Sequence, residues 1–238
     1  MLVSLEAGRV RLYARSLGIY YHGKNDDVIL NCTSASINPL DIMEVSRASF
    51  LLREEAFRVV AYLKKHVDGF QNAYIAEVYD LAAREARRMI GDYVLTMKDI
   101  VEHKTFEDAV GMGAYPLNFH DATGAVHIPS TREFNENSDG AYEIPLRCLT
   151  SSMANLMVVG KCISATFEAQ SAARGIGPCM VGGQGAGTAA ALGTLENIDD
   201  IHEIDIKELR SSWRNRAFCS LPESRREMRG DRSEKKDN

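Results

Sequence analysis

No pair of cysteines in this chain of 238 residues has the C-x-x-C spacing; Cys32, Cys148, Cys162, Cys179 and Cys219 are scattered and odd in number. That spacing excludes a disulfide framework and the closely set thiolates that an iron–sulfur cluster needs, leaving buried free thiols as the reading. No apolar run approaches the ~20 residues that span a bilayer, and the opening MLVSLE lacks the regions of a secretory signal. No lysine precedes Thr188, which excludes a Walker-type phosphate loop. Basic residues do not dominate either. The 28 Lys and Arg against 33 Asp and Glu leave a net charge of −5, the two signs are interleaved, and the aromatics form no stacking row. A nucleic-acid surface is therefore excluded, and a cytoplasmic protein with neither nucleic-acid nor membrane partners is expected.

The apolar fraction, 45%, is ordinary for a globular chain and can bury one large core or two small ones. Val10, Leu12 and Tyr13, then 19–22, a turn at 23–26 and 28–30 alternate as strands of a hairpin. Asn38-Pro39 marks a helix start, with Asn38 as N-cap. Ile42, Val45, Leu52, Ala56, Val59, Val60, Leu63 and Val67 follow at helical spacing, while Arg53, Glu54, Glu55, Arg58, Lys64 and Lys65 form a solvated face and Gly69 ends the helix. From 72 to about 89 local propensity is helical. Thr96 to Asp99 resembles a cap for a short helix through Glu102, and 110–119 returns as a strand. A helix is expected over 206–213.

Two stretches carry more than the rest. The run NLMVVGKCIS at 155–164 predicts a buried strand ending at Gly160. GPCMVGGQGAGTAAAL at 177–192 predicts a small-residue helix whose Pro178 sits where a missing N–H costs nothing. Its glycines allow either tight core packing or close approach of a flat ligand, and its first turn directs N–H groups toward electron-rich oxygens. Gly185, Gly187 and Ala190 fit G-x-G-x-x-A, although a long loop separates them from the preceding strand.

Those two stretches, with YEIPLRCL at 142–149, REARRMIGDYVLT at 84–96 and AYPLNFHD at 114–121, resemble in order the FAD-dependent oxidoreductases grouped with heterodisulfide reductase A-like proteins. The resemblance spans about 8–195. It implies an α/β fold: an α+β substrate-side region over 1–139 and the last strand and helix of a Rossmann-like FAD domain over 140–196. Beyond it a terminal extension over 197–221 is expected, and the charge-crowded 222–238, with too little apolar area to order itself, is expected to be a disordered tail. The resemblance also turns part of 85–95 into a strand. The family's opening strand, glycine-rich turn and helix have no counterpart in 1–60, so the chain is expected to be a carboxy-terminal half with a complementary amino-terminal FAD-binding half as partner. The wider grouping includes 4Fe-4S proteins, an implication that the cysteine spacing here does not support. No other metal is expected.

The resemblance implies that Gly160, Lys161, Ser164, Gly177, Pro178, Cys179, Met180 and Gly183 lie at the FAD. Arg84 and Arg174 are then candidates to orient an oxygen of a small-molecule substrate, and His120 is the candidate acid or base. Of Arg87 and Arg88, at least one faces solvent or pairs internally. Structural ion pairs or caps remain the alternative for the arginines. The family commonly has aspartate two residues before the histidine, where Asn118 stands here. The expected function is the carboxy-terminal portion of an FAD-dependent oxidoreductase, incomplete and inactive by itself; the alternative is a silent fragment or interaction module without flavin.

Overall fold

A carboxylate three residues beyond the expected cap begins the long helix of the amino-terminal half. Asp41, not Asn38, caps α1 (Ile42–His66), its Oδ1 accepting the N–H of Met43 at 2.8 Å and of Glu44 at 3.3 Å. Asn38 instead accepts the Leu40 N–H in the turn before it. Glu44 near the start and Lys64, Lys65 and His66 in the last turn complement the helix dipole. The helix ends at the extended Val67, ahead of Gly69 at φ +93°.

The computed structural model describes residues 17–21, 27–84, 86–120, 126–127 and 140–214, with backbone only at Tyr21, His120, Val126, His127, Trp213 and Arg214. The chain divides into two units, Met1–Ala83 with His120–His127, and Arg84–Phe119 with Ile128–Asn238. The run at 10–13, the turn at 23–26 and the tail lie outside the described residues.

In the first unit, β1 (Gly18–Tyr21) pairs antiparallel with β2 (Val28–Asn31), Ile19 opposite Leu30, as the alternation predicts. Cys32, Val59 and Leu63 form a small core with Leu17, Leu30, Val67 and Phe70 around it. Glu55, expected on the solvated face, is buried. Burial and the neighbouring Glu55 together push the Cys32 thiol up to about 11.

In the second unit, Thr96 and Asp99 form a reciprocal capping box that starts α2 (Met97–Val101). The expected strand over 110–119 is broken into β3 (Ala109–Gly113) and the two-residue β4 (Phe119–His120), at which the chain passes into the first unit, where β5 (Val126–His127) lies. β3 pairs antiparallel with β6 (Tyr142–Pro145), with an irregularity between Ala109 and Gly111. Helices α3 (Phe167–Ala173), α4 (Ile176–Glu196) and α5 (Ile206–Arg214) follow. Among the described residues, helices thus combine with small two-stranded sheets, consistent with an α/β fold, and no helix is long and apolar enough to cross a membrane.

Four expectations over these segments need correction. The run at 155–160 is not a strand: Met157 makes a single antiparallel bridge to Thr150 and Val158 donates to the Leu149 carbonyl at 2.8 Å, so it has one loop as neighbour and no ladder. Neither the helix of 72–89 nor the strand of 85–95 forms. Tyr74 and Tyr79 are exposed, so a helix there would have no apolar face to bury. The N–H groups of Met89, Asp92, Tyr93 and Leu95 go to the carbonyls of Cys162, Thr150, Arg147 and Ser164, which stitches the segment across several loops. Gly91 permits that approach, since an added Cβ would lie 2.6 Å from the Thr150 carbonyl oxygen. Finally, the supposed loop at 164–177 contains α3, with the Thr166 hydroxyl capping the Ala169 N–H.

Helix α4 starts two residues before Pro178 and runs to Glu196, where Asn197 in the left-handed region ends it. It lies on β3 at glycine distance: a Cβ on Gly185 would stand 2.7 Å from Val110 Cβ, and one on Gly111 2.1 Å from Val181 Cγ1. On the other side of the helix a Cβ on Gly187 would meet nothing within 4 Å. Gly185→Ala is therefore expected to destabilise the protein by about 1–3 kcal/mol through overpacking. Gly187→Ala should stabilise it by roughly 0.5–1 kcal/mol through helix propensity. Thermal or urea unfolding of the two variants checks this, and effects of the same sign would contradict the packing.

Candidate functional site

The sequence motifs meet around a turn that only glycine can make. Gly160 opens the 3-10 turn Gly160–Cys162 at φ +78°, and an added Cβ would meet nothing within 4 Å, so its backbone angle, not crowding, requires glycine. The turn packs against α3 and α4. Gln170 of α3, 0% exposed, fixes it from below: its Nε2 donates to the Lys161 carbonyl at 2.6 Å, and its Oε1 accepts from Arg88 Nη1 at 2.8 Å. Arg88 also donates to the Ala86 carbonyl at 3.0 Å. Of the paired arginines, Arg88 thus bonds internally and Arg87 faces solvent.

Where α3 ends and α4 begins, the AYPLNFHD segment joins them. Arg174 is the C-cap of α3, and its Nη2 donates to the Asn118 carbonyl at 3.4 Å. The Asn118 N–H donates to Ser171 Oγ at 3.0 Å, while its buried Oδ1 has no hydrogen-bond partner. The Tyr115 ring approaches Gly175 so closely that a Cβ there would lie 2.8 Å from its Cγ. Gly175 is the N-cap of α4 and supplies no side-chain bond to the first turn, in which Pro178 is the third residue. In that turn the N–H groups of Ile176 and Gly177 have no intrahelical acceptor, Pro178 carries none, and that of Cys179 donates to the Gly175 carbonyl at 3.0 Å. Burial pushes the Cys179 thiol up; Arg174 pulls it down and Cys162 raises it, which places the three at this junction.

The expected residues separate into groups. Gly160, Gly177, Cys179, Met180 and Arg174 gather at the turn and the start of α4. Gly177 and Met180 are exposed, Cys179 is half-buried, Pro178 is buried, and Lys161 is exposed on the turn. Gly183 lies farther along α4, again with nothing within 4 Å of an added Cβ. Ser164 lies behind the turn, fully buried against Gly91, its hydroxyl without a partner. Arg84 is half-buried in irregular chain, and His120 is described by its backbone in β4 alone. Sequence reasoning missed Gln170 and Tyr115; a lone amide among the small residues of α3 was the available signal for the first.

A second polar network anchors the Arg84 to Leu95 segment. Asp92 Oδ2 accepts from Thr150 Oγ1 at 2.7 Å and meets His202 Nε2 at 2.8 Å, while His202 Nδ1 contacts Asp200 Oδ1. The Thr150 hydroxyl, followed by His202, holds the Asp92 carboxyl below its ordinary range against the opposing effect of burial. Asp200, then Asp92, raises His202 above its ordinary 6.5. Elsewhere, burial pushes the Cys148 thiol up to about 12, the environment of an inert core thiol. No group of three or more metal-ligating side chains occurs among the described residues.

Comparison with known proteins adds a family model, described as FAD dependent oxidoreductase, that matches residues 4–212. No curated protein and no solved structure matches the chain.

Two variants test these networks. Gln170→Leu removes the bond to the Lys161 carbonyl and the acceptor for Arg88, and should cost about 1–3 kcal/mol. Unfolding of the purified chain measures it, and an unchanged midpoint would show that the turn does not depend on this bridge. Because the folded-state pKa of His202 is raised, its contribution is complete below the ordinary 6.5 and is lost as pH climbs through the raised value. The melting-temperature advantage of wild type over His202→Gln should therefore be full below the ordinary 6.5 and shrink as pH climbs through the raised value. A difference independent of pH would contradict the clamp.

Proposed function

The chain belongs to the FAD-dependent oxidoreductase family, and on that premise we propose that its second unit forms one wall of a flavin site and orients a small polar substrate beside it. Membership implies a redox role with FAD as cofactor. The residues at the junction fit that group. The start of α4 offers an uncapped first turn, Gly160 and Gly177 present backbone with no atom within 4 Å of an added Cβ, and the buried Asn118 Oδ1 awaits a partner. The open, uncapped start of α4 beside Arg174 and Asn118 is the observation that carries the reading.

Gly160, Lys161, Gly177, Pro178, Cys179, Met180 and Gly183 would hold the cofactor, and the packed Ser164 supports the turn from behind. FAD, when bound, supplies the electron chemistry. The first-turn N–H groups of α4 stabilise negative charge placed against them. Arg174 orients an anionic or hydroxyl oxygen of the substrate through its guanidinium, with Arg84 as a second candidate. His120 stays the candidate that the motif offers for moving a proton. The finer kinship, to heterodisulfide reductase A-like proteins, rests on the ordered motifs.

The outward face of α4 runs through Ile176, Met180, Gly183, Gly187, Ala191 and Leu195, apolar or small and largely open. Such a stripe admits another backbone closely, and we assign it to the complementary nucleotide-binding segment. Gel filtration of the chain mixed with FAD should show little retained flavin absorbance, whereas co-expression with the nucleotide-binding half of a family member should show bound flavin. In that pair Gly177→Val should lower flavin retention by about tenfold, and the fold should be retained, since an added Cβ there has no other part of the chain within 4 Å. Full retention by Gly177→Val would contradict the proposed cradle. Absence of flavin in both settings would favour a silent interaction module.

A further inference from the structure

The amphipathic reading of α1 accounts for its buried side, but the opposite side is also apolar. Met43, Phe50 and Phe57 are 58%, 78% and 62% exposed, with Leu51 beside them at 63%. Met43, Phe50 and Phe57 recur every seven residues, so they stand about 10.5 Å apart along one line of the helix. Large aromatic side chains repeated in this way on an exposed helix mark an interaction surface.

The flank of that line says what covers it. Glu44, Arg47, Leu51, Glu54 and Arg58 follow one another at steps of three and four along the same side of α1. Read from the other end, the string inverts its charges about Leu51: Glu44 corresponds to Arg58, and Arg47 to Glu54. A helix with this pattern complements itself when turned end for end, because in an antiparallel pair each flank meets the same flank of the other copy. The inversion would set Glu44 against Arg58, Arg47 against Glu54 and Leu51 against Leu51, with Phe50 at the centre and Met43 near Phe57. A parallel pair would instead set Lys64, which lies on the line of Met43, Phe50 and Phe57, against its own copy, a like charge that opposes association. Glu44 already accepts the Asn38 N–H at 2.7 Å and Glu54 pairs with Arg58 within the helix, contacts that fix these side chains on the flank.

We propose that α1 is a homodimer interface, two copies of this chain pairing antiparallel about a two-fold axis at Phe50 and Leu51. The contact is isologous, so it closes at two copies and does not propagate. It uses residues of the first unit alone.

Analytical ultracentrifugation of the full chain in the tens of micromolar should show a dimer. Phe50→Glu should weaken it by about 100-fold while leaving the circular dichroism unchanged, and the melting temperature unchanged at dilutions where both proteins are monomers, because the side chain is exposed. Arg47→Glu and Glu54→Arg, each weak alone, should recover association when the two purified variants are mixed or when both changes are made in one chain. Leu51→Cys should cross-link two chains under mild oxidation, whereas Ala61→Cys, far from the axis, should not. A monomer at these concentrations, a dimer that survives Phe50→Glu, or equal cross-linking at both positions would each overturn the proposal.

Discussion

The buried amide of Gln170 holds the candidate site together. One end of it accepts from Arg88 and the other donates to the Lys161 carbonyl, at 2.8 and 2.6 Å. A fully buried amide left unbonded costs free energy comparable to a lost hydrogen bond, so the fold must keep both partners in place. This ties three distant parts of the chain, the arginine-rich segment, the turn after 155–159 and helix α3, to one position. The turn lies against the start of α4, and Arg174, four residues after Gln170, reaches the Asn118 segment. The local order of the wall follows from this link and from the glycine contact of α4 with β3.

Glycine acts here in two opposite ways. At Gly185, Gly111 and Gly91 the absent side chain lets protein approach protein. At Gly160, Gly177, Gly183 and Gly187 an added Cβ would meet nothing, so the exposed backbone is available to something outside the chain. One helix therefore combines a packed face with an open one. This resolves the two readings that the small-residue run at 177–192 allows: tight packing holds for one side and close external approach is sterically possible on the other.

Local signals were legible wherever they were self-contained. The hydroxyl and carboxylate spaced as Thr96 and Asp99, the spacing of Val59 and Leu63, and the small-residue run of α4 give elements close to those observed. The failures occurred where distant chain decided the outcome. The apolar run 155–160 has strand propensity but only a loop beside it, and the alanine- and arginine-rich segment before Gly91 gives its N–H groups to several other loops. Asp41 outcompeted Asn38 as a cap because its carboxylate reaches two N–H groups at the helix start. For Gln170 the local signal stops at a lone amide among the small residues of α3; its two partners, Arg88 and the Lys161 carbonyl, come from distant chain. Arg174, Cys162 and Cys179 come together at the start of α4, whereas the burial of Ser164 reflects close packing against Gly91.

Hydrogen exchange, read by mass spectrometry on the chain together with a nucleotide-binding half and with or without FAD, measures the central claim at the residues concerned. The account predicts that FAD slows exchange selectively in the peptides covering Gly160 to Ser164 and Ile176 to Val181 and leaves that of α1 unchanged. Bound flavin with no protection in those two peptides would contradict it.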